Sequence, residues 1–243
     1  LNYANLSSSR LETMCLLIMG MVNARTVNLS HLACEFPSGA KVESSYRRIQ
    51  RFFQHVDLDA DWAAVLLTKL TGVGASWHLC LDRTNWKIGE KHVNFLVLAI
   101  ATRRHRIPLM WNVLDRPGNS NTAQRIALME RYLAVFGAST VKFLLADREF
   151  IGWEWLDFLN KNNIPFVIRI KENQIVTTED GKTQSLTTLL LTCRGKRNFK
   201  AKFGRENSND VPWFSFSAKR IKGRHLLIVV TNQSPHHALT TYK

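Results

Sequence analysis

At Trp77 the spacing of apolar residues changes from the three-to-four-residue period of helices to the short runs and alternation of strands. That change divides the chain into a helical segment and a segment built on a sheet. Residues 78–82, 93–101 and 107–114 predict three successive strands joined by short polar turns, as in an antiparallel meander. Residues 122–136 then predict a helix, 141–146 a strand, 151–162 a helix and 166–170 a strand. Three antiparallel strands followed by alternating helix and strand predict an α/β domain with a mixed sheet. Residues 172–225 lose this rhythm, with short β-like pieces such as PWFSFSAKRI among basic loops, and HLLIVVT at 225–231 is one more apolar strand. The expected organisation is a helical region over 1–75, an α/β core over 76–171, a β-rich basic insertion over 172–225 and a return to the core over 226–243.

Within the first region, Leu11, Cys15, Ile18, Met19 and Val22 keep helical spacing, and residues 14–22 read as a core helix. Nine apolar residues are too few to cross a bilayer, so no membrane partner is expected. NLSHLACEF predicts a short second helix capped near Asn28 or Ser30. In KVESSYRRIQRFFQ the residues Tyr46, Ile49, Phe52 and Phe53 form an apolar stripe, with Arg47, Arg48 and Arg51 largely opposite. Short helix, turn and basic amphipathic helix is the pattern of a helix-turn-helix DNA reader. It is equally the pattern of a small bundle with a charged face.

The chain carries 33 Lys and Arg against 19 Asp and Glu, a net charge of +14. The excess lies after residue 75: 14 basic against 8 acidic residues over 76–171, and 12 against 5 over 172–243. RGKRNFKAKFGR, residues 194–205, has six basic residues and no acid, and residues 219–224 add four more. So basic a chain points to a polyanionic partner, and nucleic acid is the common one. The four cysteines are scattered without metal-ligand or disulfide spacing, which fits a reducing, cytoplasmic setting.

Two apolar runs end on acids: HLCLDRTNW on Asp82-Arg83 and LLADREFIG on Asp147-Arg148-Glu149. An Asp after a strand is often only the cap of the next helix. Asp115-Arg116 is set apart, because Pro117-Gly118-Asn119 is turn chemistry that accounts for polar residues by itself. Two carboxylates at the ends of core strands in a basic chain suggest a divalent cation. Mg²⁺ takes hard oxygen ligands, and in phosphate-handling sites one or two carboxylates hold it. Two such ions about 3.5–4 Å apart serve in-line displacement at phosphorus, the chemistry of DNA cutting and joining.

LDRTNWKIG, GNSNTAQRIALMERY, LLADREFIG and FVIRIKENQ, in this order and spacing, resemble the catalytic domain of bacterial insertion-sequence transposases of the DDE type, in the insertion-sequence-four group. The resemblance covers nearly the whole chain. It implies a ribonuclease-H-like domain with a five-stranded mixed sheet, interrupted by a β-rich insertion before its last helix. The family's first catalytic, metal-holding Asp falls on Asp82 and its second on Asp147. Mg²⁺, with Mn²⁺ as substitute, is the implied cofactor. The implied partners are double-stranded DNA, both terminal inverted repeats and target, and a second copy of the chain on that DNA; the implied location is the cytoplasm, at the nucleoid.

Around the acids, Arg148 is a candidate phosphate contact or an ion-pair partner of a neighbouring carboxylate. Glu149 supports the site, standing too near Asp147 in sequence to be the distal Glu. Arg169 and Lys171 alternate along one side of a strand and reach phosphates, or serve as edge charges. Trp86 and Trp153 flank the acids; core packing is the default, stacking on an unpaired base the functional option. The family's third motif is a helix reading Tyr, two residues, Arg, three residues, Glu, six residues, Lys. Tyr242 fits its first position with one residue left, so the distal Glu is expected to be missing and the chain inactive by itself. A DNA-binding inhibitor of transposition is the alternative, and Leu1 hints at a non-standard start codon.

Overall fold

The computed structural model describes residues 6–37, 39–58, 61–88, 90–114, 118–204, 211–221 and 225–242. Asp115-Arg116, and Arg205, Lys222 and Arg224 of the basic runs, lie outside them. The chain packs as two units, Leu1–Leu66 and Leu67–Lys243.

In the first unit, helices α1 (Ser8–Ala24), α2 (Leu29–Cys34) and α3 (Val42–His55) enclose a core of Leu17, Leu32, Ala33, Phe36, Ile49 and Phe52. Asn28 caps α2, its side chain accepting the Ser30 N–H. The buried stripe of α1 is Thr13, Leu17 and Gly20, whereas Leu11, Cys15, Ile18, Met19 and Val22 are exposed. The expected core stripe is thus the outer one. The reason is close approach: a Cβ on Gly20 would sit 3.6 Å from Leu32, so small residues let the short α2 come against the α1 backbone. Phe53 likewise faces out, while Phe52 and Ile49 are buried.

In the second unit, after α4 (Trp62–Thr71) on the boundary, come β1 (Trp77–Ile88), β2 (Lys91–Ala101), β3 (Arg106–Leu114), α5 (Thr122–Phe136), β4 (Val141–Ala146), α6 (Trp153–Lys161) and β5 (Phe166–Arg169). There follow β6 (Ile175–Thr178), β7 (Thr183–Ser185), α7 (Leu186–Leu189), β8 (Lys196–Phe203), β9 (Phe214–Arg220), β10 (Leu226–Thr231) and α8 (Ala238–Tyr242). One ten-stranded mixed sheet runs β3-β2-β1-β4-β5-β10-β9-β8-β6-β7. The five expected strands are its first half. β10 returns antiparallel beside β5, and β9 and β8 build outward from β10, so the basic segment extends the sheet.

One face of the first half is apolar and closed. Leu79 and Leu81 align with Ile100 and Leu98 on β2 and with Leu144 and Ala146 on β4, and all are buried. Helix α5 lies on this side, its Phe136 edge-on to Trp77 at 5.8 Å, and a capping box between Asn121 and Gln124 sets its start. On the opposite face, α8 covers Leu145, Val167, Leu227 and Val229. Over β1 to β3 that same face opens into a groove of about 500 Å³ lined by Trp86, Phe95, Val97, Pro108 and Trp111, with Asp82 at its wall.

Candidate active site

Asp82 and Asp147 are brought together by parallel pairing. The β1–β4 ladder ends at Leu81 opposite Ala146, so the two Asp are the next residues on adjoining chains. Neighbouring strands lie about 4.8 Å apart. Alternation puts both on the face of Cys80 and Leu145, and both are exposed. The expected strand end at Asp82 needs correction. β1 continues to Ile88 and pairs Asp82 with Val97 of β2, because Thr84 and Trp86 keep up the alternation. What ends at Asp82 is the pairing with β4, which leaves its carboxylate beside the point where Asp147 leaves the sheet.

Each acid has a local anchor. One oxygen of Asp82 accepts the Arg83 backbone N–H at 2.7 Å. Asp147 Oδ1 lies 3.7 Å from Arg169 Nη1 and accepts the Tyr242 hydroxyl at 3.4 Å. Tyr242 ends α8, packed on the Leu145 and Val167 cluster. Its phenol is pushed up to about 12, first by burial and then by the negative charge of Asp147.

The other face carries a second polar group, of which the sequence alone singles out only Glu149. Glu149 pairs with Arg83, Nε to Oε1 and Nη2 to Oε2 both at 3.4 Å. Arg83 Nη1 also donates to Asn94, and the Asn94 amide donates to the Gly118 carbonyl at 2.8 Å. The partner of the acid is therefore Arg83, while Arg148 is exposed. Arg125 on α5 is buried behind this pair. A signal for it exists: Arg125 shares the inward stripe with Leu128, Met129 and Tyr132, a cation at core spacing.

Other expected site residues separate. Arg169 and Lys171 do not share a strand side: β5 ends at Arg169, which turns toward Asp147, and Lys171 lies beyond, lining a cavity of about 180 Å³ with Asn119, Arg148, Glu149 and Gln174. Trp86 and Trp153 are exposed, so the core-packing default is wrong for both. Trp86 sits on the groove and Trp153 opens α6. Arg48 is half-buried and bound to Glu12 at 2.7 Å and Thr13 at 2.8 Å, joining α3 to α1, whereas Arg47 and Arg51 are exposed.

The basic strands divide by face. Lys219 on β9 aligns with Leu227 on β10 and with Lys196 on β8, and Ser215 aligns with Thr231 and Lys200. Lys196, Lys200 and Lys219 therefore occupy the face of the sheet that bears Asp82 and Asp147. On that face Lys196 donates its ammonium to the His236 carbonyl, and on the other face Arg197 and Arg220 donate to carbonyls of Leu189, Leu190 and Cys193 and hold α7.

Two exposed carboxylates, one on β1 and one just past the end of β4, would supply the hard oxygens that Mg²⁺ or Mn²⁺ takes, and the residues present fit such an ion. Among the described residues no group of three or more His, Cys, Asp or Glu side chains is placed to hold a metal ion. None of their helices is long and apolar enough to cross a membrane.

The fold is a mixed-sheet α/β domain that sets two exposed carboxylates, Asp82 and Asp147, on neighbouring chain segments. The model of the transposase DDE domain family matches residues 74–238, and the chain belongs to that family. No curated protein sequence matches the chain. Among solved structures it is similar to a piggyBac transposase in a synaptic complex with hairpin DNA, at 10% identity and a TM-score of 0.45, over 94% of this chain and 53% of that one. The chain thus spans about half the length of that transposase. It is also similar to an endonuclease V from Bacillus subtilis (12% identity, TM-score 0.30, 79% of this chain and 77% of that one). A third similarity is to the NurA nuclease from Sulfolobus solfataricus (12% identity, TM-score 0.31, 82% and 80%).

Proposed function

We propose that the chain is the DNA transposase of a bacterial insertion sequence, of the insertion-sequence-four group, with a ribonuclease-H-like core that cleaves and transfers DNA strands at the element's ends. The observation carrying this reading is the β1–β4 register, which sets Asp82 and Asp147 side by side on one face. These two carboxylates would hold Mg²⁺ or Mn²⁺. When bound, such ions activate an attacking oxygen and stabilise the leaving one in an in-line displacement at phosphorus. The Tyr242 hydroxyl orients the Asp147 carboxylate, and Arg169 keeps a cation where a phosphate arrives. Lys196, Lys200 and Lys219 extend the path of the DNA across the same face, with Arg148 and Lys171 at its margin; Arg47 and Arg51 contact the element's ends, with two copies acting on one DNA.

The apolar groove beside Asp82 is open to a further segment that carries a third carboxylate. The second reading is a DNA-binding inhibitor, which occupies transposon ends where no third carboxylate completes the site. A nicking assay on double-stranded DNA carrying the terminal repeats separates the two readings. With Mg²⁺, a chain extended past Tyr242 by a Glu-bearing helix nicks, and Asp82→Asn or Asp147→Asn abolishes it; residues 1–243 alone bind without cutting. Nicking that persists in both Asn variants would sink the metal-site reading.

A further inference from the structure

We propose that Arg125 is a positioning residue for Asp147. Arg125 is only 5% exposed, and its hydrogen bonds run to neutral oxygens of two separate turns. Nε donates to Ser120 Oγ at 3.0 Å and Nη2 to the Ser120 carbonyl at 2.6 Å, both in the turn before α5. Nη2 also donates to the Glu149 carbonyl at 3.1 Å and Nη1 to the Ile151 carbonyl at 3.5 Å, both in the turn that follows Asp147. The Phe150 ring lies 5.3 Å from the guanidinium carbon. A buried cation is costly unless its donors are satisfied, so displacing either turn leaves this charge short of partners. The turn after Asp147 is closed by the Phe150 N–H to the Asp147 carbonyl at 3.0 Å and ends on the residues that Arg125 holds. Arg83 to Glu149 ties the same turn to β1 directly behind Asp82. The brace lies on the face away from the acids and acts on Asp147 through the backbone.

The inference rests on Asp82 and Asp147 being the metal-holding pair, and its test has one arm independent of that reading. Arg125→Lys keeps the charge, but a single ammonium cannot reach both turns as the planar fork does. In the 243-residue chain, Arg125→Lys speeds amide hydrogen exchange at residues 148–151 about tenfold or more and leaves β8 and β9 unchanged. Mn²⁺ affinity, read by electron paramagnetic resonance, weakens about tenfold or more, as for other residues that orient metal ligands. DNA binding in EDTA is unchanged. A folded Arg125→Lys protein with wild-type exchange and wild-type Mn²⁺ affinity overturns the proposal. Should that variant not fold, Ser120→Ala, which removes one acceptor of the brace, moves both readouts the same way by a smaller factor, and unchanged values overturn it equally. Wild-type Mn²⁺ binding insensitive to Asp147→Asn would instead defeat the metal-pair reading, and the exchange arm then decides the brace alone.

Discussion

Tyr242 donates its hydroxyl to Asp147 across 95 residues of sequence, so the last described helix ends on the acid that follows β4. The phenol is pushed up to about 12 from an ordinary 10.0, by burial first and Asp147 second. Between about pH 10 and 12 the folded chain keeps a proton that the unfolded chain has lost. The stability linked to neutral Tyr242 is therefore full below pH 10 and is lost as pH rises through 12. Asp147→Asn is expected to lower the Tyr242 midpoint, read by ultraviolet difference titration against Tyr242→Phe. Identical midpoints in wild type and Asp147→Asn would mean that the carboxylate does not act on the phenol.

Arg48 and its neighbours are expected to part company. Arg48→Ala removes the bond to Glu12 and the bond to Thr13, and costs about 1–2 kcal/mol of stability in denaturant unfolding. Arg47→Glu and Arg51→Glu stay within about 0.5 kcal/mol, since both side chains are exposed. Those two weaken preference for the element's ends instead. Equal loss on all DNA would remove the recognition role from α3.

For the basic face, each of Lys196→Glu, Lys200→Glu and Lys219→Glu is expected to flatten the log–log salt dependence of DNA binding by roughly 0.9 for every phosphate that is no longer neutralised. Arg197→Ala and Arg220→Ala serve as contrasts. They release carbonyls around α7 and lower the melting temperature, with little change in the slope. A slope that depends on the arginines and ignores the lysines would place the DNA on the other face.

The groove beside Asp82 exposes Trp86 and Trp111 together. Residues 1–243 are expected to bind an apolar-surface dye there, as large exposed apolar patches do. Trp86→Thr with Trp111→Thr reduces that binding and leaves the unfolding midpoint within a few degrees, because neither ring is in the core. Undiminished dye binding would locate the exposed apolar surface elsewhere.

Local pattern determined much of this protein. The helix at Thr122–Phe136 and the strand at Val141–Ala146 follow directly from periodicity and capping, since a capping box and an apolar strand depend only on neighbours in the chain. The acids Asp82 and Asp147 stand out because each directly follows an apolar run, a break in pattern that is visible in the sequence itself. Other features depend on which partner a face meets. The Leu11 and Ile18 stripe of α1 is as apolar as a core stripe, yet the Gly20 side is buried, because close backbone approach offset the larger side chains. The basic runs look uniform as sequence, and only strand register sorts Lys196 and Lys219 from Arg197 and Arg220. Arg83, Asn94 and Arg125 are ordinary polar residues until β1, β2 and α5 bring them behind the acids. Their roles follow from long-range pairing, which fixes distances that no local spacing encodes.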